Sequence, residues 1–121
     1  MQKRILLIDD DPKILIVGKT ILTQGGFLVD TAADGMEGLE KLKASFYDGI
    51  VLDVMMPTMD GYQTAKQIKQ LGNHKRTPIV MVTATAERNA LTRGFSSGAV
   101  IFMNKPFTAK KFLSVIQTIT R

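Results

Sequence analysis

"RILLIDDDPKI" (residues 4–14) decides how this chain must be read. Four apolar residues, Ile5 to Ile8, run directly into three aspartates and a proline. A short apolar run bounded by turn-forming residues reads as a buried strand. Pro12 suits the first position of a helix, and Asp11 before it is a favoured N-cap. The stretch is therefore a strand, a tight turn and a helix start. Asp9 and Asp10 are left at the carboxyl end of the strand, where adjacent like charges need a counter-charge from the chain or from a bound cation.

The same unit recurs downstream. Apolar runs at 3–8, 27–32, 49–54, 77–84 and 99–102 read as strands. Stretches with helical apolar spacing follow each of them: 12–24, 34–45, 61–71, 86–97 and 108–119. Asp34 with Glu37 three residues on is a helix-start signature, and Thr108 is placed to cap the last helix. Strands alternating with helices predict an α/β fold with a parallel sheet covered on both faces. The strands are apolar and rich in β-branched residues without strict alternation, as double-sided burial allows. We expect one domain over residues 1–121.

Composition narrows the chemistry. The chain has 121 residues, 45% of them hydrophobic and 22% charged. It has no cysteine, which excludes disulfides and thiolate metal sites, and one histidine, His74, which excludes a multi-histidine site. No apolar run approaches the ~18 residues of a membrane helix. The apolar part after Met1-Gln-Lys-Arg is too short for a signal sequence, and a cytoplasmic location is expected. Net charge is +5 but lopsided: residues 1–60 hold 6 Lys/Arg and 10 Asp/Glu, and residues 61–121 hold 10 Lys/Arg and one acid, Glu87. An acidic site in the first half and a basic contact surface in the second are implied.

In open α/β sheets ligands bind beyond the carboxyl ends of the strands. Asp9 and Asp10, Asp53, Thr83 and Lys105 all fall at such ends. Alone, Thr83 reads as a strand threonine and Lys105 as a loop lysine. Together they form a set of three carboxylates, a hydroxyl and an ammonium. "LLIDDDP" (6–12), "VLDVMMPTMDG" (51–61), "VTAT" (82–85) and "FMNKPF" (102–107) resemble, in order and spacing along the whole chain, the receiver domain of two-component response regulators.

The resemblance implies a flavodoxin-like (βα)5 three-layer sandwich with sheet order 2-1-3-4-5. It implies Asp53 as the phosphoacceptor, taking a phosphoryl group from a sensor histidine kinase or phosphotransfer protein and later losing it by autodephosphorylation. It implies Mg²⁺ held by Asp10, Asp53 and the Met55 carbonyl, with Asp9 acting mainly through a metal-bound water. Hard oxygen ligands shared with a phosphate suit that ion. Lys105 and Thr83 would contact phosphoryl oxygens, Phe102 would be the switch aromatic, and the Lys105–Pro106 bond would be cis. Output would pass through the fourth helix, fifth strand and fifth helix (residues 84–121) to a downstream protein target or a fused output domain, with neither nucleic acid nor membrane bound directly.

The chain is then a signalling switch rather than an enzyme. An aspartate-nucleophile phosphatase of the haloacid dehalogenase type needs a second Asp two residues after the nucleophile, where this chain has Met55. A nucleotide binder would need a glycine-rich phosphate loop, and neither GxGxxG nor GxxxxGK[ST] is present. A receiver-like domain that never accepts phosphate would be expected to lack one of the groups assembled here.

Overall fold

The computed structural model describes residues 2–84 and 101–121. The strands are β1 (Arg4–Ile8), β2 (Leu28–Ala32), β3 (Gly49–Asp53), β4 (Ile79–Thr83) and β5 (Ile101–Asn104). The helices are α1 (Pro12–Gln24), α2 (Gly35–Ala44), α3 (Gly61–Lys69) and α4 (Ala109–Ile119), with one 3-10 turn at Gly72–His74. All strand pairs are parallel, in the order β2-β1-β3-β4-β5. The expected helix at 86–97, Thr85, and the first half of the strand expected at 99–102 lie outside the described residues.

Strand alternation explains the unbroken apolar runs. Ile5 and Leu7 join Val51, Val80, Val82, Phe112 and Ile116 on one side of the sheet. Leu6 and Ile8 join Leu39, Leu42, Ile50, Leu52, Ala65 and Ile68 on the other. Each face buries its own apolar set, so neither parity of the strand is free to be polar.

Caps set most helix starts as the sequence suggests. Asp11 accepts from the Lys13 N–H at 2.9 Å, with Pro12 in the first turn. Asp34 accepts from the Glu37 N–H at 2.8 Å, and Thr108 accepts from that of Lys111 at 3.0 Å. The α3 start carries a full reciprocal box, Asp60 with Gln63, which went unread although its spacing equals that of Asp34 and Glu37.

Several boundaries differ from expectation: β1, β3 and β4 are trimmed to Arg4–Ile8, Gly49–Asp53 and Ile79–Thr83 from the expected 3–8, 49–54 and 77–84, and three other ends shift for a local reason. The helix expected to reach Leu71 ends at Lys69, where Gly72 and Asn73 favour a tighter turn. Phe27 precedes β2 instead of opening it, its N–H bonded to the Leu22 carbonyl at 3.0 Å. β5 continues to Asn104, because Met103 and Asn104 pair in register with Val82 and Thr83.

Candidate functional site

Register brings the polar residues together. Ile8 pairs with Leu52, Asp53 with Val82 and Thr83 with Asn104. Asp9 is one step beyond Ile8, beside Asp53, and Lys105 is one step beyond Asn104. The Lys105 N–H donates to the Thr83 carbonyl at 2.8 Å, which carries the β4–β5 pairing one residue past the strands. The Lys105–Pro106 bond is cis.

Asp9 and Asp53 are 2% and 5% exposed, while Asp10 is exposed. One carboxylate oxygen from each of the three lies within 4.8 Å of the others. Lys105 Nζ bridges the buried pair, donating to Asp9 Oδ2 at 2.8 Å and to Asp53 Oδ1 at 3.3 Å. Asp9 Oδ1 accepts from the Asp11 N–H at 2.9 Å. Both Asp9 oxygens are thus engaged by the protein, one by the turn it belongs to and one by the lysine. That turn contact is a second role for Asp9 which the sequence reading did not anticipate.

The charge balance leaves Asp53 exposed to repulsion. Burial, followed by the neighbouring Asp9 charge, pushes its carboxyl up to about 6, against the opposing pull of Lys105. Burial alone would lower the Lys105 ammonium, but the two carboxylates outweigh it and hold it above the ordinary lysine value. Two carboxylates cannot share one ammonium without penalty in a site this dry. A third acid, Asp10, stands at the same mouth. This donor set of three hard oxygens with a charge deficit fits a small divalent cation such as Mg²⁺.

The remaining candidates surround this centre. Thr83 is 3% exposed at the end of β4. Phe102 is half-buried, packs against the core on the α2–α3 side, and lies 6.3 Å from Tyr62 between ring centroids. It pairs in register with Met81, so by alternation Thr83 and Phe102 share a parity of the sheet. Met55 is 60% exposed, two residues past Asp53, while Met56 and Met59 are buried in the core.

One glycine lets the loop come back to the site. A Cβ on Gly61 would lie 2.8 Å from Val54 Cα and closer still to the Asp53 carbonyl. The Gly61 N–H donates to the Val54 carbonyl at 2.8 Å. The start of α3 is therefore laid directly on the end of β3, which only a residue without a side chain allows.

An acidic cleft at the carboxyl end of a five-stranded parallel sheet, with a buried aspartate bridged to a lysine, places the chain among open α/β domains whose ligand crevice lies at the strand ends. Residues 5–117 match the response regulator receiver domain family, and the chain belongs to it. It is 35% identical over 121 residues to the transcriptional regulatory protein SrrA of Staphylococcus aureus; the match takes in 100% of the chain but 49% of SrrA, so the chain spans about half the length of that relative. Among solved structures it resembles Vibrio cholerae chemotaxis protein CheY4, with TM-score 0.95, 32% identity and coverage of 98% of this chain and 99% of that one. The receiver domain of the sensor histidine kinase PA1611 from Pseudomonas aeruginosa PAO1, with a magnesium ion in its active-site cleft, matches with TM-score 0.90 at 28% identity over 99% of this chain and 98% of that one. The flavodoxin-like order 2-1-3-4-5 is shared with these neighbours. Among the described residues, no helix is long and apolar enough to cross a membrane.

Proposed function

We propose that residues 1–121 form one receiver domain that stores a signal as a phosphoryl group on Asp53. The observation that carries this reading is the bridging of buried Asp53 and Asp9 by Lys105 beside a third carboxylate. An Asp53 Oδ attacks the phosphorus of a phosphohistidine. The O–P bond forms, the P–N bond breaks, and the imidazole leaves with the electron pair. Such transfers ask mainly for positioning and for neutralisation of the phosphoryl oxygens. Lys105 would meet one oxygen by giving up part of its hold on Asp53, and the Thr83 hydroxyl would meet another.

Asp10, Asp53 and the Met55 carbonyl would hold Mg²⁺, with Asp9, both oxygens already engaged, contributing through water. The ion supplies positive charge to the phosphoryl oxygens. Release is hydrolysis: water adds to phosphorus, the O–P bond to Asp53 breaks, and phosphate departs. The exposed Met55 can crowd that approach but cannot orient the water by hydrogen bonding.

The phosphodonor is a sensor histidine kinase or phosphotransfer protein, working in the cytoplasm. Thr83 and Phe102 relay occupancy of the site to a downstream protein target or a fused output domain. Both fit a chain that spans half of a transcriptional regulator, and the nucleic acid would be read by the output domain rather than by this fold. The phosphatase alternative lacks its acid/base: an exposed thioether stands at Met55.

Incubating the chain with acetyl phosphate and Mg²⁺ should add about 80 Da, one phosphoryl group, at Asp53. Asp53→Asn should abolish the addition. Undiminished labelling of that variant would move the phosphoacceptor elsewhere.

A further inference from the structure

The turn between β3 and α3 holds one residue in a backbone conformation that its own side chain disfavours. Thr58 has φ +70°, and it is the only non-glycine residue with positive φ among the described residues. The Met59 N–H donates to the Pro57 carbonyl at 2.8 Å, closing an i to i+2 ring around Thr58. A positive φ at the centre of such a ring marks the strained form of the γ-turn. Threonine is β-branched, and for such residues this region is an outlier.

Thr58 is exposed, so no core contact requires its side chain. The conformation is imposed from both ends. Met56 and Met59 are buried on either side of the turn. The Gly61 N–H to Val54 carbonyl bond and the Asp60–Gln63 box fix the far end. Pro57 has one φ available and restricts Met56 before it. Strain of this kind persists where the surroundings over-determine the backbone, and it gathers at functional sites. The segment so constrained begins at Val54 and Met55, directly after Asp53.

We propose that Thr58 is a positioning residue for the divalent cation: its strained γ-turn stiffens the short β3–α3 loop and so holds the Met55 main chain in one conformation beside the acidic cluster. A carbonyl that is already ordered gives a cation more affinity than one that must be ordered on binding. The inference rests on the Mg²⁺ reading of the site.

Two variants test it, with no phosphodonor present. Thr58→Gly removes the steric strain and frees the loop. Thr58→Val keeps the β-branch. Mg²⁺ affinity is read by calorimetry or amide shift titration, and thermal stability is read in chelator. Thr58→Gly should raise the melting temperature of the metal-free protein by about 3 °C. It should also weaken Mg²⁺ binding roughly tenfold, the low end of losses seen when the support of a metal ligand is altered. Thr58→Val should keep the affinity within about twofold of the parent and bring no gain in stability, because the strain is retained. A role in the fold alone would raise stability and leave affinity untouched, and that result overturns the proposal. A lowered melting temperature for Thr58→Gly overturns it as well, since the turn would then not be strained. If the parent chain binds no Mg²⁺, the reading of the site fails first; if the parent binds and Thr58→Gly binds equally, only the role of Thr58 fails.

Discussion

Asp53 is 5% exposed and shares its ammonium partner with Asp9. An unstructured aspartate titrates at 3.8, whereas burial and the Asp9 charge push Asp53 up to about 6. Between those values the folded chain binds a proton that the unfolded chain has released. This residue's contribution to stability is therefore full below the lower value and is lost as pH rises through the upper one. A gap of about two pH units corresponds to roughly 3 kcal/mol at ~1.4 kcal/mol per unit. Rearrangement around Lys105 in the variant removes part of that. We predict that Asp53→Asn stabilises the metal-free protein at pH 7 by roughly 1–2 kcal/mol in urea unfolding, and that the gain shrinks towards pH 4. Other carboxylates push the opposite way, as Asp30 does: its hydrogen bond from Tyr47, with help from Arg4, holds it below the ordinary value. The difference between parent and variant isolates Asp53. A variant less stable than the parent at pH 7, or a difference independent of pH, would show that Asp53 carries no such repulsion.

At the scale of elements, the loop between β3 and α3 does most to shape the site. Gly61→Ala should destabilise the chain by about 2–3 kcal/mol in urea, because the clash is with Val54 and Asp53 backbone that cannot rotate away. At an unobstructed helix position the same change would gain up to ~1 kcal/mol. A neutral or stabilising result would mean that α3 can lift off β3 freely. This loop also marks the limit of what the sequence discloses. The end of β1 was legible because its apolar run stops at Asp9, whereas β3 was expected to reach Val54 because Val54 and Met55 continue the apolar run past Asp53; helix starts were legible because Asp11, Asp34 and Thr108 are capping residues. The strained turn at Thr58 was not legible, since threonine ordinarily argues against positive φ and the surroundings that impose it are tertiary. The same holds for Asp9 Oδ1, whose partner is an amide two residues away rather than a charge. The extension of β5 to Asn104 depends on pairing with Val82 and Thr83, which no local pattern encodes.

Over the whole molecule, the two ends of the sheet are chemically unlike. At the amino end, buried His74 ties loops together: its Nε2 lies 3.1 Å from the Leu42 carbonyl and 3.2 Å from that of Ser45, so that nitrogen carries a proton, and its Nδ1 lies 3.0 Å from the Thr77 hydroxyl. At the carboxyl end the acids gather. The basic excess lies in the second half of the sequence, with six basic residues and one acid over 84–121. Of these, Arg88, Arg93 and Glu87 lie outside the described residues. Lys105 is committed to Asp9 and Asp53. Lys110 and Lys111 are exposed in the first turn of α4, where the helix itself prefers negative charge. Two cations placed against that preference are poorly explained by helix stability and are better explained by a partner's acidic surface. Their field reaches ~8 Å at physiological salt and acts chiefly on encounter. Lys110→Glu with Lys111→Glu should slow association with the kinase or output partner about tenfold or more at low salt, with little change in dissociation, and should flatten the salt dependence of the rate. Acetyl phosphate labelling of Asp53 should continue unchanged, because neither lysine touches the site. The double variant also suits the helix start better, so its melting temperature should not fall. Stopped-flow association at several salt concentrations reads the effect directly. An unchanged rate with unchanged salt dependence would reduce these lysines to solvated surface and shift the search for the output contact to the apolar part of the face.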